Sequence, residues 1–567
     1  MISNAGRDLV DTLVQLGVEY VFGQPGGQAL PIYDSIYELQ PKINHILVRD
    51  ERCAAYMADG YARAKAVLGV CDATVGPGAT NLISGVAEAY GAASPILVLT
   101  TDVDSAAAGR GASQELDQLS TFRPICKWSA RVDRPDRVHA IIRHAAELAL
   151  SGRPGPVYLS FPPDVLRKET HGSPNAEKAV FMPHRPRPDT SKVQDAVKLL
   201  MEAKRPVIFA GGGVLWSHAW DELVELAELL SIPVATTITG KGTIPENNPL
   251  AVGVSGSYSR PCALRVMQEA DVVLVVGTKL GEVATAGWTV PNHEAKLIHI
   301  DIDAAVIGRN YRTKVGMAAD AKLAVRDLLE QIRGKSFPSH ENWVKDAAGF
   351  VDKWREMVKK KMESPTDPIR PEYVIHAIRE VMSPDEPLVS DASFPTVWTG
   401  AYFDVLSSGR VYTAPRGAGG TGGGFPLSLG FQTALPDKRV FCVAGDCGFS
   451  VVCQELETAA RIGLPVITIV LNNSSLAYIR HEQKAFYNGR FVSTEFRRVD
   501  FAKVAEGFGC LGIRVEKAEE LSGALKQAKN NNGPAVLDVI VDPWAYPPIL
   551  EFLSSGWNEE LTVFMKT

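Results

Sequence analysis

The sequence predicts an α/β protein of three doubly wound parallel-sheet domains. Three observations carry that expectation. Short apolar runs of strand length alternate with helical segments along the chain. Glycine-rich turns follow several of those runs. A proline-rich segment and a long charged helical segment divide the chain into blocks. The 567 residues, 46% hydrophobic and 22% charged, suffice for several buried cores.

The first domain is placed at 1–182. A helix over 6–16 precedes a strand at 20–22, and the turn Gly23-Gln24-Pro25-Gly26-Gly27 follows. A strand at 45–48 ends before Asp50-Glu51, and a helix over 52–64 comes next. A strand at 70–73 leads into Gly76-Pro77-Gly78-Ala79-Thr80-Asn81, which opens another helix before a strand at 96–100. The segment 183–188, Pro-His-Arg-Pro-Arg-Pro, reads as a linker. The central domain, 190–335, has strands at 206–210, 233–236, 272–276 and 297–302, with Gly211-Gly212-Gly213 after the first and Gly277 after the third. A charged helix over 341–362 crosses to the third domain, 365–545. There a strand at 440–444 enters Gly445-Asp446-Cys447-Gly448-Phe449. A helix over 450–462 closes at Gly463, and a strand at 465–471 ends on Asn472-Asn473. The aromatic tail, 546–567, is a candidate lid. No short repeat is evident, yet the first and third domains share a plan of glycine-rich turns and polar residues at strand ends.

Composition narrows the function classes. The net charge is −6, and no Lys/Arg stripe is present, so no nucleic-acid partner is expected. The cluster Lys359-Lys360-Lys361 ends a helix and reads as a solvated face. No apolar run reaches about 18 residues, so no membrane span is expected. The N-terminus lacks the pattern of a signal peptide. Eight cysteines without a CxxC pair fit a reducing cytoplasm, the expected location. Cys442, Cys447 and Cys453 read as small core residues rather than zinc ligands.

Asp446 and Asn473 are 27 residues apart, about one βαβ crossover, so a carboxylate and a carboxamide sit at the ends of two parallel strands. Hard oxygen ligands at such a crevice suit Mg²⁺, which leans on phosphate oxygens for the rest of its shell. Gly445 and Gly448 let the backbone approach a diphosphate at a helix N-terminus. An ordinary βαβ turn with a capping Asp is the bland alternative.

The Gly-Asp…Asn-Asn spacing resembles the diphosphate-binding motif of thiamine diphosphate (ThDP) enzymes, with Cys447 where that motif has Gly. The runs 22–27 (Phe-Gly-Gln-Pro-Gly-Gly), 30–34 (Leu-Pro-Ile-Tyr-Asp) and 76–81, with Gln114-Glu115, are similar to acetolactate synthase. The similarity extends from about residue 5 to 550. It implies the ThDP-binding fold, with ThDP and Mg²⁺ as cofactors. Asp446, Asn473 and the carbonyl of Ser475 would hold the metal. Gly445, Cys447 and Gly448 would line the diphosphate, continued by Leu476, Ala477 and Tyr478. Pro25, Gly26, Pro77 and Asn81 would sit on the aminopyrimidine side, with Glu51 on its ring nitrogen. Glu51 by position alone reads better as an N-cap or first-turn residue stabilised by the helix dipole; beside the diphosphate motif it reads as the acid that exchanges a proton with the ring. Gln114 would reach the reacting carbon, and Ser393, Gly419 and Thr421 would approach from the third domain. The implied activity is C–C bond cleavage or carboligation on a 2-oxo acid such as pyruvate, through an enamine (acyl anion). In this family the first domain of one subunit faces the third of another, which implies a homodimer at least, extending to a homotetramer.

Several positions depart from acetolactate synthases. Thr421 stands where a bulky apolar residue wedges the cofactor, Ser113 replaces Phe, and Glu482 replaces Trp. Lys279-Leu280-Gly281-Glu282-Val283 replaces an Arg-Phe-Asp-Asp-Arg run. The stretch 123–131 is similar to 2-hydroxyacyl-CoA lyases. A 2-hydroxyacyl-CoA lyase, with an acyl-CoA substrate, or an oxalyl-CoA decarboxylase-like enzyme is therefore an alternative; a ThDP-binding regulator without catalysis is a more remote one. Gly211-Gly212-Gly213 is compatible with FAD, with ADP or a CoA adenine, or with tight packing alone. His299 and Trp288 read as core or rim residues.

Overall fold

The computed structural model describes residues 3–171 and 184–549. Three six-stranded sheets, parallel throughout, organise the chain. The first runs, edge to edge, Asn44–Leu47, Tyr20–Gly23, Gly69–Ala73, Ile96–Thr101, Val157–Phe161, Trp128–Arg131. The third runs Tyr412–Thr413, Leu388–Ser390, Phe441–Gly445, Ile467–Asn472, Ala535–Ile540, Leu511–Val515. Numbered within their own sheets, both have the order 2-1-3-4-6-5, so the shared plan is a shared topology. The central sheet differs: Ala251–Val254, Val234–Thr236, Pro206–Ala210, Val272–Val276, Lys296–Asp301, Thr313–Ala318, or 3-2-1-4-5-6. In each, strand order reverses beside the first strand, and a crevice opens beyond the strand ends there.

The strands are apolar because helices cover both faces. Ile467–Asn472 is buried at every position, as is Ile96–Thr101. Helices start where their caps dictate. Asn4 accepts from Arg7 N at 2.8 Å and opens Ala5–Gln15; Asp50 accepts from Arg52 N at 2.8 Å, so Glu51 is the first residue of Glu51–Lys65. That helix packs across Gly424–Ala434 of the third sheet's layer. A Cβ on Gly60 would overlap the Leu427 carbonyl, and one on Gly430 would overlap that of Met57. Only glycine at both places allows the two backbones to touch.

Two boundaries differ from the sequence expectation. The helix expected over 450–462 is two helices, Asp446–Ser450 and Glu455–Ile462. The helical path begins at Asp446 itself. Bonds from Val451 N to Gly448 O and Val452 N to Phe449 O then tighten into a turn that redirects it. The strand expected from 465 begins at Ile467, because Pro465 has no N–H to give the ladder. An antiparallel pair, Ser3–Asn4 with Glu169–Thr170, closes the first layer. The expected lid lies outside the described residues beyond Ile549. Among the described residues no helix is long and apolar enough to cross a membrane.

Candidate active site

Two clusters of polar residues form at corresponding switch points of the first and third sheets. In the first, Glu51 is 7% exposed. Its Oε2 accepts from Asn81 Nδ2 at 2.9 Å, while Oε1 receives no hydrogen bond from the described residues. A Cβ on Gly78 would come within 3.2 Å of Oε1, so the turn at 76–81 wraps this carboxylate closely. Pro25, Pro77 and Asn81 are exposed around it, and Gly26 is half-buried against Thr74. Gln114 is exposed at φ +65°, with its backbone against Gly76. Glu115 holds that loop: its carboxylate accepts from the N–H groups of Gly109, Gly111 and Ala112, which draw its pKa down. The buried Asp72 and the half-buried Tyr33 and His45 form a further trio. Tyr33 Oη donates to Asp72 Oδ2 at 2.6 Å, and His45 Nε2 lies 2.9 Å from Asp72 Oδ1.

The second cluster is built on N–H groups. Asp446 Oδ1 accepts from Cys447 N at 2.8 Å; Oδ2 accepts from Asn473 N at 3.0 Å and Ser474 N at 2.5 Å. One lone pair of Oδ1 is left over. Burial pushes this carboxyl up to about 6, against those three N–H groups. Asn473 Oδ1 accepts from Ser475 N at 3.1 Å and keeps its other lone pair, and the buried Ser475 hydroxyl has no partner. Asp446 and Asn473 thus turn hard oxygens toward one crevice, a donor set that fits Mg²⁺. Beside them Gly445 packs near Pro395, and Gly448 packs against Asp391 and Gly422. Ser393, at φ +68°, and Phe394 close one wall, where the Phe394 ring meets Tyr478 at 5.4 Å, just after Leu476 and Ala477.

Between the Glu51–Asn81 group and the Asp446–Asn473 group of one chain, no hydrogen bond or ion pair forms among the described residues. Three further carboxylates that the sequence reading missed order this region, and two of them, Glu455 and Glu88, join the two layers. Asp391, 1% exposed, accepts from Gly422 N at 3.0 Å and Gly424 N at 2.9 Å, and burial raises it to about 6. Glu455 accepts from Arg49 N and Asp50 N at 2.9 and 3.1 Å, just before Glu51. Glu88 accepts from the N–H groups of Gly417, Ala418 and Gly419. Gly419 and the exposed Thr421 lie within the loop so anchored. A signal existed for Asp391, a lone Asp directly after a strand, but Leu388–Ser390 is too short to mark that strand.

The central sheet's switch point opens a cavity of about 500 Å³ between the ends of Pro206–Ala210 and Val272–Val276. Gly213, Trp216, Thr278, Asp301, Arg410 and Arg416 are among its lining. The Arg410 guanidinium stacks 4.2 Å from the Trp216 ring and donates to Leu215 O at 2.8 Å, while its buried Nε has no partner among the described residues. Gly211 and Gly213 pack on Gly277 so closely that a Cβ at either would overlap it. The glycines therefore serve packing, and the same packing forms the cavity floor. His299 is a core residue bonded to Thr278 O at 3.0 Å; Trp288 is 44% exposed.

Comparison with known families agrees with this layout. Residues 3–121 match the N-terminal TPP binding domain of thiamine pyrophosphate enzymes, 193–328 the central domain, and 391–539 the C-terminal TPP binding domain. A probable acetolactate synthase large subunit of Methanococcus aeolicus is 37% identical, covering 99% of this chain and 97% of that protein. An acetolactate synthase of Arthrospira platensis is 35% identical, covering 95% of each. The acetolactate synthase large subunit of Corynebacterium glutamicum is 34% identical over 94% of this chain and 86% of its own length. The chain belongs to the ThDP-dependent enzymes, in the acetolactate-synthase-like family.

Proposed function

We propose that the protein is a Mg²⁺-dependent carboligase acting on a 2-oxo acid such as pyruvate, with Glu51 and Gln114 as its catalytic residues. The observation that carries this reading is the buried Glu51 carboxylate, with one oxygen fixed by Asn81 and the other without a hydrogen bond among the described residues. When bound, ThDP supplies a carbon nucleophile for a carbonyl and a sink for the electrons of the adjacent bond. The protein's part is to seat and orient it. Asp446, Asn473 and the Ser475 carbonyl hold the metal at the diphosphate; Gly445, Cys447 and Gly448 admit the phosphate oxygens; Leu476, Ala477 and Tyr478 continue that wall, with Ser393, Gly419 and Thr421 facing it. Pro25, Gly26, Pro77 and Asn81 receive the pyrimidine ring. Glu51 Oε1 holds the proton exchanged with the ring nitrogen, and Asn81 fixes the other oxygen so that only one can exchange. Gln114, on its exposed loop, contacts the substrate at the reacting carbon.

The two clusters of one chain are separate, so we assign the complete site to a homodimer, assembled further as a tetramer, with the first domain of one copy facing the third of the next. The central cavity takes a nucleotide, FAD or an ADP moiety, with Arg410 on its phosphates.

A second reading, cleavage of a 2-hydroxyacyl-CoA, draws on the small, exposed Ser113 and Thr421. Purified protein with ThDP and Mg²⁺ is incubated with pyruvate or with 2-hydroxyacyl-CoA esters, and products are identified by mass spectrometry. Acetolactate from pyruvate is expected. Formyl-CoA with an aldehyde or ketone from the esters, and no product from pyruvate, replaces the first reading with the second.

A further inference from the structure

The glycine-rich loop 417–424 is held at both ends by carboxylates, and they come from different domains. Asp391, from the loop's own domain, takes the N–H groups of Gly422 and Gly424. Glu88, on the helix Ile83–Gly91 of the pyrimidine-side domain, takes the other end. Its Oε1 accepts from Gly417 N at 2.7 Å; its Oε2 accepts from Ala418 N at 2.8 Å and Gly419 N at 3.2 Å. Three successive N–H groups turned on one anion form a nest, the backbone arrangement that otherwise receives phosphates.

The charge balance shows why the nest is needed. Glu88 is 0% exposed, as is Asp59. One cation serves both: Arg63 donates to Asp59 Oδ1 at 2.8 Å and to Glu88 Oε1 at 3.0 Å. The guanidinium reaches only Oε1 of Glu88, so Oε2 depends on the loop's N–H groups. A buried charge is tolerated only when hydrogen-bonded, and here the glycine loop supplies the donors. Arg63 ties the same cluster to the third domain, donating to Ala414 O at 3.0 Å. Gly420 and Thr421 lie between the two anchors, and Thr421 is exposed.

We propose that Glu88 is a positioning residue for the cofactor: from the neighbouring domain it fixes the glycine loop that presents Thr421 to ThDP. The inference rests on ThDP binding at this loop. It assigns no chemistry to Glu88, which acts only through the three N–H groups it holds.

The test compares ThDP affinity by calorimetry in saturating Mg²⁺ for the full-length protein and its variants, with amide exchange at 417–419 followed by mass spectrometry. Glu88→Gln replaces one accepting oxygen with an NH₂ facing the nest. It is expected to weaken ThDP about tenfold or more, the scale of a lost charged hydrogen bond, and to speed exchange at 417–419. Glu372→Gln is the control. Glu372 is an equally buried carboxylate, paired with Arg370 at 2.7 Å, outside the loop. It is expected to change stability and leave ThDP affinity within about twofold. Should Glu88→Gln not fold, Ala418→Pro decides: it removes one donor at an exposed position and leaves the ion pairs in place. Weakened ThDP binding is expected there too. Wild-type affinity in folded Glu88→Gln, or in Ala418→Pro, overturns the proposal, as does an equal loss in Glu372→Gln. A wild-type protein that binds no ThDP overturns the cofactor reading and this inference together; wild-type binding with unchanged variants overturns the inference alone.

Discussion

The Asp446 crevice and the central cavity occupy the same kind of place, a switch point at the ends of parallel strands, yet they are built from different material. Around Asp446 the working groups are backbone N–H donors, glycines and carboxylates. The central cavity adds long side chains to a glycine floor, with Arg410 stacked on Trp216 and residues drawn from all three layers, the loop 417–419 among them. Backbone geometry demands glycine and fixed spacing, so a site made of backbone is tied to a local pattern. Long side chains are recruited from anywhere in the chain, so the part of the cavity they wall is free of such a pattern.

The difference is open to attack at four points. The largest effect is expected from Glu51→Gln. Turnover should fall roughly 10²- to 10⁴-fold, the range for loss of an acid–base group, while calorimetric ThDP affinity stays within about threefold. Near-wild-type turnover would remove Glu51 from the chemistry. Asp446→Ala should next abolish Mg²⁺-dependent ThDP binding and spare any nucleotide in the central cavity; retained tight binding would sink the metal assignment. Arg410→Met should do the reverse, stripping co-purifying nucleotide, read by absorbance and mass spectrometry after denaturation, with ThDP affinity unchanged within about twofold. If ThDP binding falls equally, the two sites are not independent.

The smallest effect concerns pH. Burial pushes the Asp301 carboxyl, in the cavity wall, from 3.8 up to about 6, with the Asp303 N–H opposing. A raised value favours the protonated form in the fold. This contribution to stability is therefore full below about pH 4 and is lost as pH rises through about 6. Asp301→Asn should remove it. Between pH 4 and pH 7 the wild type should lose on the order of 2 kcal/mol relative to the variant in chemical denaturation. Parallel curves would show Asp301 to be solvated.

Much of this was legible in advance for the same physical reason. The strands at 206–210 and 272–276 stand where the apolar runs placed them, because buried parallel strands are continuously apolar. The Glu51–Asn81 pair and the Asp446–Asn473 crevice each arise from residues within one crossover. What escaped was non-local or short. Glu88 meets its three donors 329 to 331 residues away, and no window along the chain contains both. Tyr412–Thr413 has two residues, too few to show any period. The break after Ser450 depends on how its turn packs, and helical propensity alone predicted one continuous helix.

The crossing of Glu51–Lys65 over Gly424–Ala434 also bears on how the chain is made. The first helix leaves the ribosome about 360 residues before its partner. At synthesis rates of about 5–20 residues per second, it waits roughly 20–70 s for the surface that covers it. The face it keeps for that surface carries Met57, Gly60 and Tyr61, with Tyr56 at its edge. Gly60 leaves a gap between these larger side chains, and a helix offers no open edge for another chain to join. Gly60, which lets the two backbones touch in the finished protein, also lessens the apolar surface that the unfinished one exposes.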